Sequence, residues 1–258
     1  MGTLDAFISS QRSPISDPAF TSQEIVDRGS VFVANIYHAV TPQEAKQRVE
    51  QMKRVVHSSK PATHEMAAWR CMVLRPGCTG LAGPGDFELQ SGYKDDSERW
   101  GGGKILNAME RLAILDAVVI VSRWYGGALL GPARFDHIAQ CATEVARKFK
   151  DQEELLELKT LLESLDDILA SLRQEYKKLS TDEPCSSQDT TSTAETLSGL
   201  PIPVVKKPDY ATIDVAKAKR LVRVREGSIA SVKLLIAKLQ AVETSPRTGE
   251  GSEPTSQT

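Results

Sequence analysis

Apolar positions follow three rhythms along this chain. Between residues 26 and 150, short β-branched runs alternate with stretches whose apolar residues recur every three or four positions. "SVFVANIYHA" (30–39) and "MAAWRCMVLRP" (66–76) read as strands. "AVVIVSRW" (117–124) is a continuous apolar run of the kind covered on both faces or central in a sheet. In "TPQEAKQRVEQMKRVVHS" (41–58), Thr41, Pro42 and Glu44 make a capping box with proline in the first turn, and Ala45, Val49, Met52 and Val56 line one helix face. Ile105, Met109, Leu112 and, one step on, Leu115 give a helix over 103–116. Phe135, Ile138, Cys141, Ala142 and Val145 give another over 131–149. Residues 77–93 read as a long glycine-rich excursion. A β-α-β-α-β-α order over about 120 residues predicts one α/β or α+β layer domain.

The second rhythm is heptad. Leu158, Leu165, Leu172 and Leu179 are seven apart, with Leu161 and Ile168 between them. Val215, Val222, Ile229 and Ile236 repeat the pattern, with Ala218, Val232 and Leu239 between. These segments, 151–180 and 209–242, read as two amphipathic helices packed as an antiparallel hairpin, since neither stripe holds a helix together alone in water. The third rhythm is none at all. Residues 1–25 read as a disordered leader, 181–208 as a Ser/Thr/Pro linker and 243–258 as a tail, because such segments bury too little apolar surface to offset the cost of ordering.

Charge sharpens the division. The net charge is only −2, yet residues 26–150 carry 17 basic against 13 acidic side chains, 151–180 carry 4 against 8, and 209–240 carry 7 against 3. The acidic helix is thereby matched to the basic one. Cys71, Cys78, Cys141 and Cys185 form no CxxC pair, and read as four unpaired thiols of a reducing compartment. The start of the chain has neither a basic nor an apolar signal region, and the longest clean apolar run is about five residues where a membrane span needs about twenty. The reading is a cytoplasmic chain with no membrane contact.

Two glycine-rich stretches carry the candidate chemistry: "DDSERWGGGKI" (95–105) and "VSRWYGGALLGP" (121–132). Aligned on Gly103 and Lys104, the first fails as a nucleotide-binding P-loop, with Glu98 at the first glycine and Ile105 at the Ser/Thr. Gly101, Gly102 and Gly103 still offer N–H groups at a helix start, which leaves open a weak site for a phosphate or a partner carboxylate. Asp95, Asp96 and Glu98 read either as a paired-carboxylate acid/base cluster or as an acidic turn favouring the helix that follows. No nucleophile stands at a diagnostic spacing beside them, so no catalytic residue, metal ligand or cofactor is assigned. His137 falls on a helix at its boundary; His64 opens a strand with a local hydrogen bond. Gly126 and Gly127 turn the chain out of the sheet, with Trp124 and Tyr125 filling the space beside them. Arg123, at the end of an apolar strand, needs a buried partner, which Asp95, Asp96 or Glu98 would supply.

The run "GGGKILNAMERLAILDAVVIVSRWYGGALLGP" resembles the signature of the IMPACT family, whose bacterial relatives include the YigZ proteins. The match falls on Gly102, Ile105, Leu106, Met109, Ile114, Ile120, Val121, Arg123, Trp124, Tyr125, Gly126, Gly127, Leu130 and Gly131. "DDSE" is similar to the family's Asp-Asp-Gly-Glu, with Ser97 where glycine is usual, and "ATHEMAAW" to its Ala-x-His strand opening; the likeness covers roughly 28–148. It implies a two-layer β-α-β domain like domain two of small-subunit ribosomal protein five and domain four of elongation factor G. It implies a non-enzymatic regulator of translation in general amino-acid control. Such a regulator blocks activation of the kinase that phosphorylates the initiator-tRNA-delivering factor, by competing for that kinase's ribosome-associated activator. Monomeric actin is a further partner that the resemblance implies. Animal and budding-yeast members carry an N-terminal RWD domain; here a leader is expected in its place, with the two C-terminal helices resembling those of filamentous-fungal members. The alternatives drawn from the residues themselves are an RNA- or ribosome-binding module, suggested by the basic 26–150 segment, and a hydrolase using Asp95, Asp96, Glu98, His64 and Lys104.

Overall fold

The computed structural model describes residues 17–181 and 208–243, which divide into two compact units meeting at Glu153 and Glu154. All but the two end residues of the expected linker, most of the leader and all but the first residue of the tail lie outside the described residues. So does Cys185; Cys71, Cys78 and Cys141 are free thiols.

The first unit is an antiparallel sheet with helices. Its strands are β1 (Phe20–Thr21), β2 (Ile25–Asp27), β3 (Ser30–His38), β4 (His64–Leu74), β5 (Phe87–Lys94) and β6 (Ala117–Trp124), ordered β1-β3-β6-β4-β5 with β2 also on β3. The central strand is β6, as its unbroken apolar run predicts. Val119 and Val121 enter one core with Ile105, Met109, Ile138, Cys141 and Val145; Val118 and Ile120 enter another with Ala45, Val49 and Met52. Helix α1 (Pro42–Gln51) therefore covers one face, and α2 (Gly101–Arg111) with the start of α3 (Ala133–Thr181) covers the other. Helices on both faces make three layers, where the sequence reading implied two.

Local signals explain most elements. Thr41 caps α1 by accepting from the Glu44 N–H at 3.2 Å, while Glu44 accepts from the Val40 N–H at 3.0 Å and Pro42 occupies the first turn. Val56, expected inside, is 48% exposed because Met52–Val56 is a π-helical turn closed by His57 N–H on Met52 O at 2.9 Å. The extra residue per turn breaks the 3.6-residue phase. Helix α2 ends at Arg111, so Ile114 is buried and Leu115 is exposed, against expectation.

Two strands correct the sequence reading. Residues 17–25 are part of the sheet rather than leader: Ala19 N–H donates to Ile36 O at 2.8 Å, Ser22 N–H to Ala34 O at 2.8 Å, and Phe20 pairs with Ile36. A two-residue strand carries no periodicity to read. The glycine-rich excursion contains β5 except for its last residue, Lys94, and the alternation of Phe87, Leu89, Ser91 and Tyr93 is diluted by the glycines around it.

The second unit holds the later part of α3 and α4 (Val215–Glu243). No break separates the expected 131–149 and 151–180 helices; α3 runs through both. Leu162 and Leu169 are buried, whereas Leu161 and Ile168, expected in the seam, are exposed. Both columns repeat every seven residues, and the Leu158 column alone does not choose between its i+3 and i+4 neighbours. On α4 the expected columns hold: Ala218, Val222, Ile229 and Ile236 are buried. The chain direction is the opposite of the one expected. Glu154 meets Lys219 at 2.5 Å and Asp166 meets Arg225 at 2.5 Å, so both helices advance together, as in a parallel pair. An antiparallel register through Glu154 and Lys219 would leave Asp166 about 27 Å from Arg225. The segment before α4 fixes this sense, since Tyr210 and Ile213 pack with Leu162, Ala218 and Val222.

Candidate functional site

Loop Asp95–Trp100 joins β5 to α2 and brings the two glycine-rich stretches together. Three of its residues are left-handed, Asp96 at φ 47°, Ser97 at φ 68° and Trp100 at φ 70°. For a residue with a Cβ this conformation costs about 1–2 kcal/mol, so other contacts must impose it. Each of the three acids supplies one set.

Asp95 caps α2. Its carboxylate accepts from the Gly102 N–H at 2.8 Å and the Trp100 N–H at 3.1 Å. The anion position at this helix start is therefore occupied by the protein's own side chain. Gly101 and Gly102 serve close packing: a Cβ at Gly101 would lie 2.6 Å from Met66 Sδ, and one at Gly102 would lie 2.8 Å from Lys94 O. A Cβ at Gly103 would meet nothing within 4 Å, and Lys104 is exposed on the next turn.

Asp96 ties three elements. It accepts from Lys53 Nζ at 2.6 Å and from the Glu65 N–H at 2.8 Å, while its carbonyl lies 3.0 Å from His64 Nδ1. Burial pushes the Asp96 carboxyl upward, but the Lys53 ammonium and the Glu65 N–H outweigh it and hold the carboxyl below its ordinary value.

Glu98 is the partner that Arg123 requires. Both are 5% exposed, and the Arg123 guanidinium binds one Glu98 oxygen directly. Arg134 Nε binds the other oxygen at 2.5 Å and also donates to Gly131 O at 2.7 Å through Nη1; His64 Nε2 stands 3.8 Å from the first. Arg123 further stacks 5.4 Å from the Phe32 ring and 5.7 Å from the Tyr125 ring. Each Glu98 oxygen is thereby committed to an internal guanidinium, the charge-assisted pairing that is strongest among side-chain hydrogen bonds.

The second stretch is equally built. Gly126 N–H donates to Ser30 Oγ at 3.1 Å, and a Cβ there would fall 1.9 Å from the Gly29 backbone. Gly127 and Gly131 take φ 88° and φ 59° to turn the chain. Trp124 Nε1–H donates to Lys60 O at 3.2 Å; Tyr125 N–H donates to Thr63 Oγ1 at 3.0 Å and its hydroxyl to Gly127 O at 2.8 Å. His137 is placed apart, on Asp27 at 2.8 Å.

Four participants escape the sequence reading. Lys53 and Arg134 lie on helices, where a lone cation carries no signal of its partner. His57 is aimed by the π-turn at Glu65, 2.6 Å away, with the Trp124 ring edge-on at 5.0 Å. Trp100 is the fourth. It is 61% exposed, Arg99 stacks 4.8 Å from its ring and the Phe135 ring centre lies 6.4 Å away. The acids that looked catalytic are anchors, and what they hold outward is an indole. Among the described residues no three His, Cys, Asp or Glu side chains gather as a metal site, and no helix is long and apolar enough to cross a membrane.

Residues 28–146 match the Impact N-terminal domain. Protein IMPACT of Bos taurus is 36% identical over 148 residues, which cover 55% of this chain and 42% of that protein. Protein IMPACT of Homo sapiens is 35% identical over 149 residues with the same coverage of each, 55% and 42%. The match thus spans less than half the length of these curated relatives. A solved structure described as the two-domain translational regulator Yih1 is 30% identical over 54% of this chain and 51% of that one, with a TM-score of 0.34. Residues 28–146, with the glycine-rich signature within them, are thus the segment in which this chain is similar to the Impact N-terminal domain and to these IMPACT proteins.

Proposed function

We propose that this chain is a non-enzymatic regulator of translation that acts by protein contact, restraining activation of the kinase of general amino-acid control in the cytoplasm. The direction comes from the family; the mode comes from the geometry. The observation that carries it is Trp100, held in a left-handed conformation by Asp95 and left 61% exposed beside Arg99. Strain retained at an exposed aromatic is typical of a contact site, and Trp and Arg are among the residues enriched at binding hot spots. Asp95, Asp96 and Glu98 are committed to internal partners, which argues against the hydrolase reading. The test is recovery of the kinase's activator, or of ribosomes, from cell extract on immobilised protein. Wild type retains them and Trp100→Ala, with an unchanged melting curve, loses about tenfold or more, the loss of one hot-spot side chain. Recovery of neither by the wild type refutes the reading.

Stacking of Arg99 on Trp100, with Lys104 exposed on the next turn, favours RNA as a second reading, because an indole flanked by cations also stacks a base. That reading requires affinity that falls steeply with salt. Binding that is absent at low salt, or indifferent to salt, removes it.

A further inference from the structure

Strand β5 has one neighbour, β4, and ends the strand order; among the described residues nothing pairs with its outer edge. At the other side of the sheet, the outer edge of β3 is covered by β1 and β2. An eight-residue bare edge is a template for another strand, and proteins blunt such edges unless they use them. The register with β4 fixes which side chains share a face. Tyr93 lies beside Ala68 and Leu89 beside Met72, so Leu89, Ser91 and Tyr93 are on the α2 side. Lys94 lies beside Ala67, so Glu88, Gln90, Gly92 and Lys94 are on the α1 side.

This edge is self-complementary. A second β5, antiparallel about a two-fold axis at Ser91, sets Glu88 of each copy opposite Lys94 of the other, giving two ion pairs on the α1 side. On the α2 side Leu89 of each copy faces Tyr93 of the other, and these are 43% and 53% exposed in the single chain. Gln90 faces Gly92, which cannot carry a side chain because a Cβ there would lie 2.6 Å from the Trp69 ring. Moving the axis to Gln90 sets Glu88 against Gly92 and forfeits both ion pairs; a half-step puts opposite faces together, which the pleat forbids. Phe87, Leu89, Met72 and Leu74 form an exposed apolar strip beside the edge. We infer that β5 is a homodimer interface through which two copies join their sheets edge to edge in this one register. A two-fold contact in which i meets j and j meets i is the commonest route to a closed assembly.

The test uses charge reversal in the full chain, read by sedimentation equilibrium. Lys94 also reaches Glu50 at 3.5 Å, but both side chains are nearly half exposed, so reversal leaves the fold intact. Wild type is expected to dimerise in a concentration-dependent way. E88K alone sets lysine against lysine, and K94E alone sets glutamate against glutamate. Each weakens the dimer about tenfold, two cross-strand pairs being changed from attraction to repulsion. Mixed together, E88K and K94E restore both ion pairs and form a heterodimer at wild-type strength. L89K, which keeps both charges, weakens the dimer without rescue by mixing. A wild-type monomer at the highest soluble concentration overturns the proposal. So does a dimer indifferent to both reversals, or a mixture no tighter than its components.

Discussion

Ser97 takes a φ of 68°, the left-handed region that favours glycine. Glycine removes the left-handed penalty of about 1–2 kcal/mol and returns part of it as unfolded-state entropy of about 0.5–1 kcal/mol. Ser97→Gly is therefore expected to stabilise the first unit by about 0.5–1 kcal/mol, seen as a rise of a few degrees in melting temperature. Arg123 and Glu98 give the opposite case. Arg123→Ala leaves Glu98 with Arg134 as a remaining partner and should cost about 3 kcal/mol. Glu98→Ala strands the buried Arg123 guanidinium and should cost nearer 5 kcal/mol, the upper end for breaking a buried pair. Equal melting curves for Arg123→Ala and wild type would show that the pair does not hold the loop. The need of Arg123 for an acid was legible in the sequence because a guanidinium ending an apolar strand has few alternatives. Which acid was not legible, since Asp95, Asp96 and Glu98 differ only in how the left-handed loop turns them.

At the scale of elements, what repeats is readable and what interrupts a repeat is not. Strand β6 and the buried faces of α2 and the first part of α3 follow from apolar spacing alone. The π-turn at Met52–Val56 inserts a residue without changing composition, so the sequence extends α1's stripe to Val56 while the structure turns His57 toward Glu65. Asp96 secures that turn through Lys53 and fixes β4 through the Glu65 N–H. Its carboxyl is held below the ordinary carboxylate value in the folded state, so its contribution is fully present above that ordinary value, near pH 4, and is lost as pH falls through the depressed one. Acid unfolding of Asp96→Asn should therefore show a flatter stability profile below about pH 4 than wild type, with lower stability at neutral pH. Parallel acid limbs for the two proteins would remove Asp96 from this role.

Across the whole molecule, the division into two units at Glu153 and Glu154 falls inside a single helix, so composition marks it only by the change in charge from 26–150 to 151–180. The same charges misled on direction. An acidic and a basic stripe attract in either sense, and connection length favoured the antiparallel one. A chain of about thirty residues can extend to roughly 100 Å, however, well beyond a helix of that length at about 45 Å, so length never excluded a parallel return. The sense is set by discrete pairs instead: Glu154 with Lys219, and Asp166 with Arg225 and the Tyr210 hydroxyl. Arg225 occupies the column of Ala218, Val232 and Leu239, and a polar residue in an apolar seam specifies register at some cost in stability. Cysteines introduced at Asp166 and Arg225 should cross-link within one chain through a short bifunctional reagent. A cysteine at Asp166 paired with one at Ile236 should not, because Ile236 lies about 16 Å further along α4. Efficient cross-linking of the second pair and none of the first would mean that the helices do not run in the sense described.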